Sequence, residues 1–373
     1  MDNKPKFAVL GAGNGGVATA ADLTVRGFDV NLWEHPDFEI GIRPIQEAGG
    51  ITLDTLPSTG LSGGFAQVKL ITSDIEKALD GVDAVLVIVP SFAHKRFAEL
   101  CAPYIQDGQT VIVMPGNFGG ALEFYNAFKK KNDAKNVSFA EAECMIYACR
   151  KESPAKIWIR GFKHGLRIAA VPAIDNDRVM NLIQQAYPKV LPGQNIIETG
   201  LSNPNPIQHT PIMILNAGLI DRTRGNFLFY KEGMTPKTAD VIDAIDAERL
   251  AVGKAFKTKM RTMFEQDVEW YGYQGAKGSN IYESTMNNDI YQWSKAPDSF
   301  QHRYLTEDIP FGLAALEELG NVAGIPTPIT TSMIDLAQIL TEKNLRENRR
   351  SLEALGLNNM SASSIVDFIT NGN

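Results

Sequence analysis

Six residues constrain this chain more than any others: Gly11-Ala12-Gly13-Asn14-Gly15-Gly16. They follow at once on the apolar run Phe7-Ala8-Val9-Leu10 and lead into Val17 to Arg26, whose pattern predicts a helix. Phe28 to Trp33 then reads as a second strand, ending on Glu34. Gly11, Gly13 and Gly16 fit G-x-G-x-x-G, and each has a mechanical reason. Gly11 allows the tight turn out of the strand, Gly13 lets the backbone approach a pyrophosphate, and Gly16 lets the helix pack closely on the strand. The helix N-terminus then offers unpaired N–H groups and a partial positive charge to phosphates. Such a motif alone is weak, but here it has the strand before it and the helix after it. It also has an acid close to the roughly 20-residue spacing expected of the carboxylate that binds an adenine ribose. The expected cofactor-binding residues are therefore Gly11, Ala12, Gly13, Asn14, Gly15, Gly16 and Glu34. A carboxylate at position 34 repels a 2′-phosphate, so NAD is favoured, with NADP as the alternative. Arg43 is the one nearby cation that weakens this preference.

The alternation continues downstream. Gln67–Ile71, Asp83–Pro90 and Thr110–Met114 read as strands, separated by helical segments at Ile75–Leu79, Ala93–Cys101 and Leu122–Lys130. Near-continuous apolar strands between helices indicate a parallel sheet covered on both faces, a Rossmann-type α/β domain. Ligands bind outside the carboxyl ends of such strands. The loops Pro90-Ser91-Phe92 and Pro115–Gly120 should thus line the cofactor and the reacting centre, with Pro90 and Ser91 on the cofactor and Asn117 on the substrate. Ser138–Arg150 and Ala155–Val171 look like further strands, the second with a turn near Gly161–Gly165, and Asp175–Tyr187 like a helix. The boundary falls in the proline- and glycine-rich stretch Leu191–Asn205. This gives a dinucleotide-binding domain at 1–195 and a second domain at 196–373. In the second, Ala239–Met263, Ile309–Ala323, Thr330–Thr341 and Ser361–Ile369 read as helices, so this domain is expected to be all-helical.

Composition narrows the class further. The chain has 373 residues, 44% hydrophobic and 21% charged, enough for two cores. Its net charge of -7 disfavours nucleic acid as a partner. No stretch approaches the roughly 18 to 20 apolar residues of a membrane span, and the N-terminal apolar run ends in glycines rather than in a signal-peptide core. The three cysteines, Cys101, Cys144 and Cys149, form no C-x-x-C pair, and their odd count in a Met-rich composition argues for a cytoplasmic protein; no His/Cys/carboxylate cluster has metal spacing, so no metal site is expected.

Three segments together carry a resemblance: GAGNGG at 11–16, NPNPIQHTPIMILNAG at 203–218 and RYLTEDIPFGL at 303–313. The chain resembles the octopine and nopaline (opine) dehydrogenase family over nearly its whole length. The first segment is shared by many dehydrogenases, the other two are far more specific. The resemblance implies reductive condensation of an amino acid's α-amine with an α-keto acid, using NAD(P)H. It also implies His209 as the catalytic histidine, Asp308 as its partner and Arg303 as a ligand of a substrate carboxylate. Ala142–Arg150 resembles the family's pocket strand, which brings Cys149 into the expected substrate-binding set. The middle of that segment departs from the family pattern and leaves the roles of Cys144 and Met145 open.

The same residues have a physical reading. His209 is one of five histidines. It lies one or two turns into a helix that begins after Asn203–Pro206, and prolines on both sides fix its backbone. His35, beside the ribose-binding acid, reads as solvated, and His164 sits at a turn. Asp308 stands two residues before Pro310, the place of an N-cap. A cap and a histidine partner can coexist, since a carboxylate accepts several hydrogen bonds. Arg303 is expected in a loop, where its planar fork suits a carboxylate. A histidine titrating near neutral pH can take a proton from the amine and return one to the departing oxygen. The rival enzyme is a two-domain reductase of the ketopantoate, glycerol-3-phosphate or β-hydroxyacid type, with Lys254 or Lys257 as its acid. A non-catalytic dinucleotide-binding regulator is the third reading. The helical half offers the surface for a homodimer.

Overall fold

The computed structural model describes residues 4–131 and 136–372, so the first three residues of the expected dinucleotide domain lie outside it. Packing divides the chain at Gly193/Gln194 into two compact units, with Asn117–Gly119 grouped with the second.

The first unit is a mixed α/β body. Its strands are β1 (Phe7–Leu10), β2 (Val30–Trp33), β3 (Ile51–Thr55), β4 (Gly64–Ala66), β5 (Leu70–Thr72), β6 (Ala84–Val87), β7 (Thr110–Val113), β8 (Ser138–Ala142), β9 (Tyr147–Ser153), β10 (Lys156–Phe162), β11 (Arg167–Val171) and β12 (Leu191–Pro192). Eight of them form one sheet in the order β12-β11-β8-β7-β6-β1-β2-β5. From β8 to β5 every pairing is parallel, and β11 turns antiparallel on β8. The central strands FAVL, AVLV and TVIV are buried at every residue. The helices Asn14–Val25 and Gly120–Lys131 pack on β1 and β7, which is why these strands read as continuous apolar runs.

A second, four-stranded sheet, β4-β3-β10-β9, corrects the sequence reading. Ile51–Thr55 and Gly64–Ala66 were not foreseen as strands: they are short and half-buried, with only Ile51, Leu53 and Ala66 turned fully inward. The strand expected at Gln67–Ile71 is Leu70–Thr72. The long strand expected at Ser138–Arg150 is two strands in different sheets. Glu143 ends the first: its backbone N–H donates to the Arg167 carbonyl at 3.0 Å, and its Oε1 accepts from the Arg167 N–H at 2.7 Å. The chain then turns through Cys144–Ile146 into β9. Ala155–Val171 likewise divides into β10 and β11.

Among the described residues the regular structure of the second unit is helical, apart from an isolated bridge between Leu228 and Lys295. The expected Ala239–Met263 helix runs from Pro236 to Ala255, and Lys257, in the left-handed region at φ 54°, follows its end. A new helix, Met263–Tyr271, starts behind a capping box of Thr262 and Glu265. The expected Ile309–Ala323 helix opens as a π turn, Ile309–Leu313, and continues as α-helix over Ala314–Ala323.

Candidate active site

In the first unit the glycine-rich loop is built from backbone. Gly11 has φ +100°, and a Cβ there would lie 2.5 Å from the Ile88 carbonyl oxygen. A Cβ on Gly16 would lie 1.7 Å from the carbonyl oxygen of Gly11, so strand and helix meet at a distance only glycine allows. A Cβ on Gly13 would meet nothing within 4 Å. The Asn14–Val25 helix has no capping side chain and no acid in its first turn. Bare backbone, an uncapped helix N-terminus and open space beside Gly13 fit a pyrophosphate. Glu34 is held against the same loop: Oε2 accepts from the Ala12 N–H at 2.8 Å and Oε1 from the His35 N–H at 2.8 Å. These residues suit a nicotinamide dinucleotide. Pro90, half-buried, and Ser91, buried, follow β6 on the same edge of the sheet.

Strand β9 contributes more here than the sequence suggests. Lys151 donates from Nζ to the Ala12 carbonyl at 2.9 Å and from its backbone to Asn14 Oδ1 at 2.8 Å. Burial lowers its pKa, with the Glu34 charge opposing. The cation beside Glu34 is therefore Lys151, whereas Arg43 stands exposed at the head of the Arg43–Ala48 helix. Cys149, expected to bind substrate, places its thiol 3.4 Å from the Asn14 carbonyl, against the nucleotide loop, and burial pushes that thiol up to about 12. Met145 covers Gly15, its sulfur 2.9 Å from where a Cβ would stand. His35 is buried rather than solvated and accepts from the Asp37 N–H through Nδ1 at 3.1 Å.

In the second unit the Pro204–Leu215 helix carries His209. Asn203 caps it, accepting from the Asn205 N–H at 3.0 Å, with Pro204 just inside. Asn203 in turn donates from Nδ2 to Asn117 Oδ1. Arg350 Nη1 holds that loop through the carbonyls of Asn117 at 2.8 Å and Phe118 at 3.1 Å. Asn117 thus braces the head of the histidine's helix.

His209 Nδ1 lies 2.7 Å from Asp308 Oδ2, and both side chains are buried, 6% and 4% exposed. Asp308 makes no capping hydrogen bond to the turn that follows it, so its carboxylate serves the imidazole instead of the expected N-cap. His209 Nε2 lies 2.7 Å from the Tyr230 hydroxyl. Tyr304 stacks on the imidazole with ring centroids 3.7 Å apart and planes at 24°. Neither tyrosine was foreseen. Tyr304 follows Arg303 inside the RYLTEDIPFGL segment and could have been weighed there, whereas Tyr230 carries no sequence signal.

Arg303 is not in a loop. It opens the short Arg303–Thr306 helix, about half exposed, with Nε 3.0 Å from Glu307 Oε2. Next to it His302 is pushed down to about 4, by burial first and then by the nearby His209 and Arg303. Lys254 and Lys257, the acids of the rival reductase reading, are exposed. Among the described residues no group of three or more His, Cys, Asp or Glu is placed to hold a metal, and no helix is long and apolar enough to cross a membrane.

A parallel sheet with this glycine loop, joined in one chain to a helical unit with a buried His–Asp pair, defines an NAD(P)-dependent dehydrogenase. Residues 6–123 match the family described as NAD-dependent glycerol-3-phosphate dehydrogenase N-terminus, and residues 192–341 match NAD/NADP octopine/nopaline dehydrogenase, alpha-helical domain. The chain is 34% identical to the opine dehydrogenase of Arthrobacter sp. (strain 1C) over 98% of its own length and 99% of that protein's. With that full-length relative in hand, the chain belongs to the opine dehydrogenase family. Among solved structures, octopine dehydrogenase in complex with NADH and agmatine has a TM-score of 0.79 at 22% identity, covering 99% of this chain and 98% of that one. A ketopantoate reductase from Ralstonia eutropha shares the fold at a TM-score of 0.60 and 19% identity, covering 90% and 98%.

Proposed function

We propose that the protein condenses the α-amine of an amino acid with an α-keto acid and reduces the resulting imine, with residues 1–195 holding the dinucleotide and 196–373 carrying the acid–base chemistry. The observation that carries this reading is the buried 2.7 Å contact of His209 with Asp308, inside the segment matched to the octopine/nopaline helical domain. With Nδ1–H donated to Asp308, the tautomer is set and Nε2 keeps its lone pair. The amine must lose a proton before it attacks the keto carbon, and the carbinolamine oxygen must gain one to leave as water. His209 serves both steps, and Asp308 stabilises the imidazolium between them. When bound, NAD(P)H supplies the hydride that reduces the imine carbon. Glu34, tied to the Ala12 N–H, presents its carboxylate to the adenine ribose and favours NAD over NADP.

Arg303 binds a substrate carboxylate in this reading, exchanging its pairing with Glu307 for the ligand. Arg303→Lys keeps the charge but loses the fork, so KM for that substrate rises while NADH affinity holds. Unchanged kinetics in Arg303→Ala remove it from the site. The protein works in the cytoplasm, and a homodimer through the helical unit completes the proposal. Exposed Ile329, Leu336 and Ile339 on the Pro328–Thr341 helix support that surface, and sedimentation tests it. The function itself is tested by NADH oxidation with pyruvate, oxaloacetate and 2-oxoglutarate, each alone and with each amino acid. Oxidation strictly dependent on the amino acid is expected. Turnover of a keto acid alone at the same rate overturns the reading in favour of a hydroxyacid-type reductase.

A further inference from the structure

Lys151 ties strand β9 to the glycine-rich loop twice. Its backbone N–H donates to Asn14 Oδ1 at 2.8 Å, and its Nζ donates to the Ala12 carbonyl at 2.9 Å. Across the sheet it pairs with Ile157 of β10, so the side chain leaves a fixed strand. Glu34 holds the same loop residue, its Oε2 accepting from the Ala12 N–H at 2.8 Å. One residue of the loop thus carries a carboxylate on its N–H and an ammonium on its carbonyl.

Neither charged residue is sealed in. Glu34 and Lys151 are half-buried, and Gly13 and Asn14 beside them are exposed. A Cβ on Gly13 would meet nothing within 4 Å. A ligand laid over the loop therefore has open space next to both charges. A carbonyl needs only a neutral donor, yet this one takes an ammonium whose burial disfavours its charged form. Among the described residues Ala12 is the only acceptor for Nζ, so two of its three N–H donors stay available. An anion arriving here would meet a cation already placed and only partly offset by Glu34.

We propose that Lys151 is the cofactor-discriminating cation of this protein: it receives the 2′-phosphate of NADPH beside Glu34, and so lets a site that favours NADH take NADPH as well. This rests on the reading of Glu34 as the ribose-binding carboxylate. The two groups divide the work. With NADH, Glu34 accepts from the ribose hydroxyls and Lys151 keeps the Ala12 carbonyl. With NADPH, the phosphate ester removes the 2′-hydroxyl donor and sets a second negative group against Glu34. The ammonium offsets that repulsion and donates its remaining N–H groups to the phosphate oxygens. The pyrophosphate is the other anion near this loop. It is common to both cofactors, so a lysine that served it would strengthen both alike.

The test is equilibrium binding of NADH, NADPH, 5′-AMP and 2′,5′-ADP to the wild type, Lys151→Met, Lys151→Arg and Glu34→Gln. The melting temperature of each is measured without cofactor. Lys151→Met keeps the apolar stem and loses the charge. It should weaken NADPH and 2′,5′-ADP by about ten- to a hundredfold while leaving NADH and 5′-AMP within about threefold of wild type. Lys151→Arg should keep most of the NADPH affinity, and Glu34→Gln should raise it. Equal losses of NADH and NADPH in Lys151→Met overturn the proposal: the ammonium then serves the pyrophosphate or, if the melting temperature falls too, only holds the loop. Unchanged binding of all four ligands also overturns it. A wild type that prefers NADPH, with that preference lost in Lys151→Met, supports the role of Lys151 and overturns instead the reading of Glu34.

Discussion

The two units bind with different materials. In the first, the proposed site is main chain: Gly11, Gly13 and Gly16 would act by lacking a side chain, and N–H groups at one uncapped helix end would meet the phosphates. The glycines, the helix start and Glu34 lie within about two dozen consecutive residues and are fixed by local geometry, with Lys151 joining them from β9. In the second, the proposed site is side chains: His209, Tyr230 and the Tyr304/Asp308 pair come from three separate segments and meet only when the helices pack. A backbone site is written contiguously because turn, strand and helix must follow one another. A side-chain site can be assembled from any residues whose elements happen to meet.

That difference makes the largest effect the easiest to forecast. Gly16→Ala places a methyl 1.7 Å from a backbone carbonyl, so helix and strand must separate. About 3 kcal/mol of overpacking would lower the melting temperature of a unit this size by about 6 to 12 °C, with NADH binding lost. Gly13→Ala meets no protein atom. It should melt like the wild type yet bind NADH about tenfold or more weakly. If both variants melt alike, or if Gly13→Ala binds normally, the loop does not work through bare backbone.

Glu34 is where the backbone site borrows a side chain. Glu34→Ala removes a charged hydrogen-bond acceptor, a loss of about 1.5 to 3 kcal/mol, and should weaken NADH by about ten- to a hundredfold while narrowing the gap to NADPH. Cofactor titrations decide it: a wild type that already prefers NADPH contradicts this role for the carboxylate. Lys151 sharpens the same point, since its ammonium beside Ala12 offsets part of the Glu34 charge. Lys151→Ala should lower NADPH affinity more than NADH affinity.

The smallest effect concerns pH. His302 titrates at about 4 in the fold against 6.5 as an unperturbed residue. Between these values the unfolded chain binds the proton first, so stability falls as pH drops from 6.5 toward 4. His302→Asn keeps a capping side chain for the Arg303–Thr306 helix but removes the titration. Its urea midpoint should fall less between pH 7 and pH 5 than that of the wild type. An equal fall in both assigns the acid sensitivity elsewhere.

Much of this was legible in the sequence, unevenly. The strand–glycine–helix–strand–acid order, the parallel sheet and the helical second half follow from periodicity and glycine spacing. The second sheet was missed because β3 and β4 are short and half-buried, so they lack the apolar runs that mark the central strands. His209 and Asp308 were named through resemblance; spacing alone offered a helix histidine and an N-cap. Tyr230 and Lys151 were invisible, since neither a tyrosine in Phe227–Lys231 nor a lysine on a strand edge signals anything until β9 meets the loop or the phenol meets the imidazole. The sequence pattern puts Arg303 in a loop because a four-residue helix is too short to leave a period.

The central claim is that His209 and Asp308 act as one unit, and kcat for the wild type, His209→Ala, Asp308→Ala and the double variant tests it most directly. His209→Ala should lose about 10² to 10⁴-fold with NADH binding retained, and the double variant should be scarcely worse, because the carboxylate acts only through the imidazole. If the two losses multiply, or if His209→Ala keeps near-normal turnover, the pair is not the acid–base unit and Asp308 acts on something other than His209.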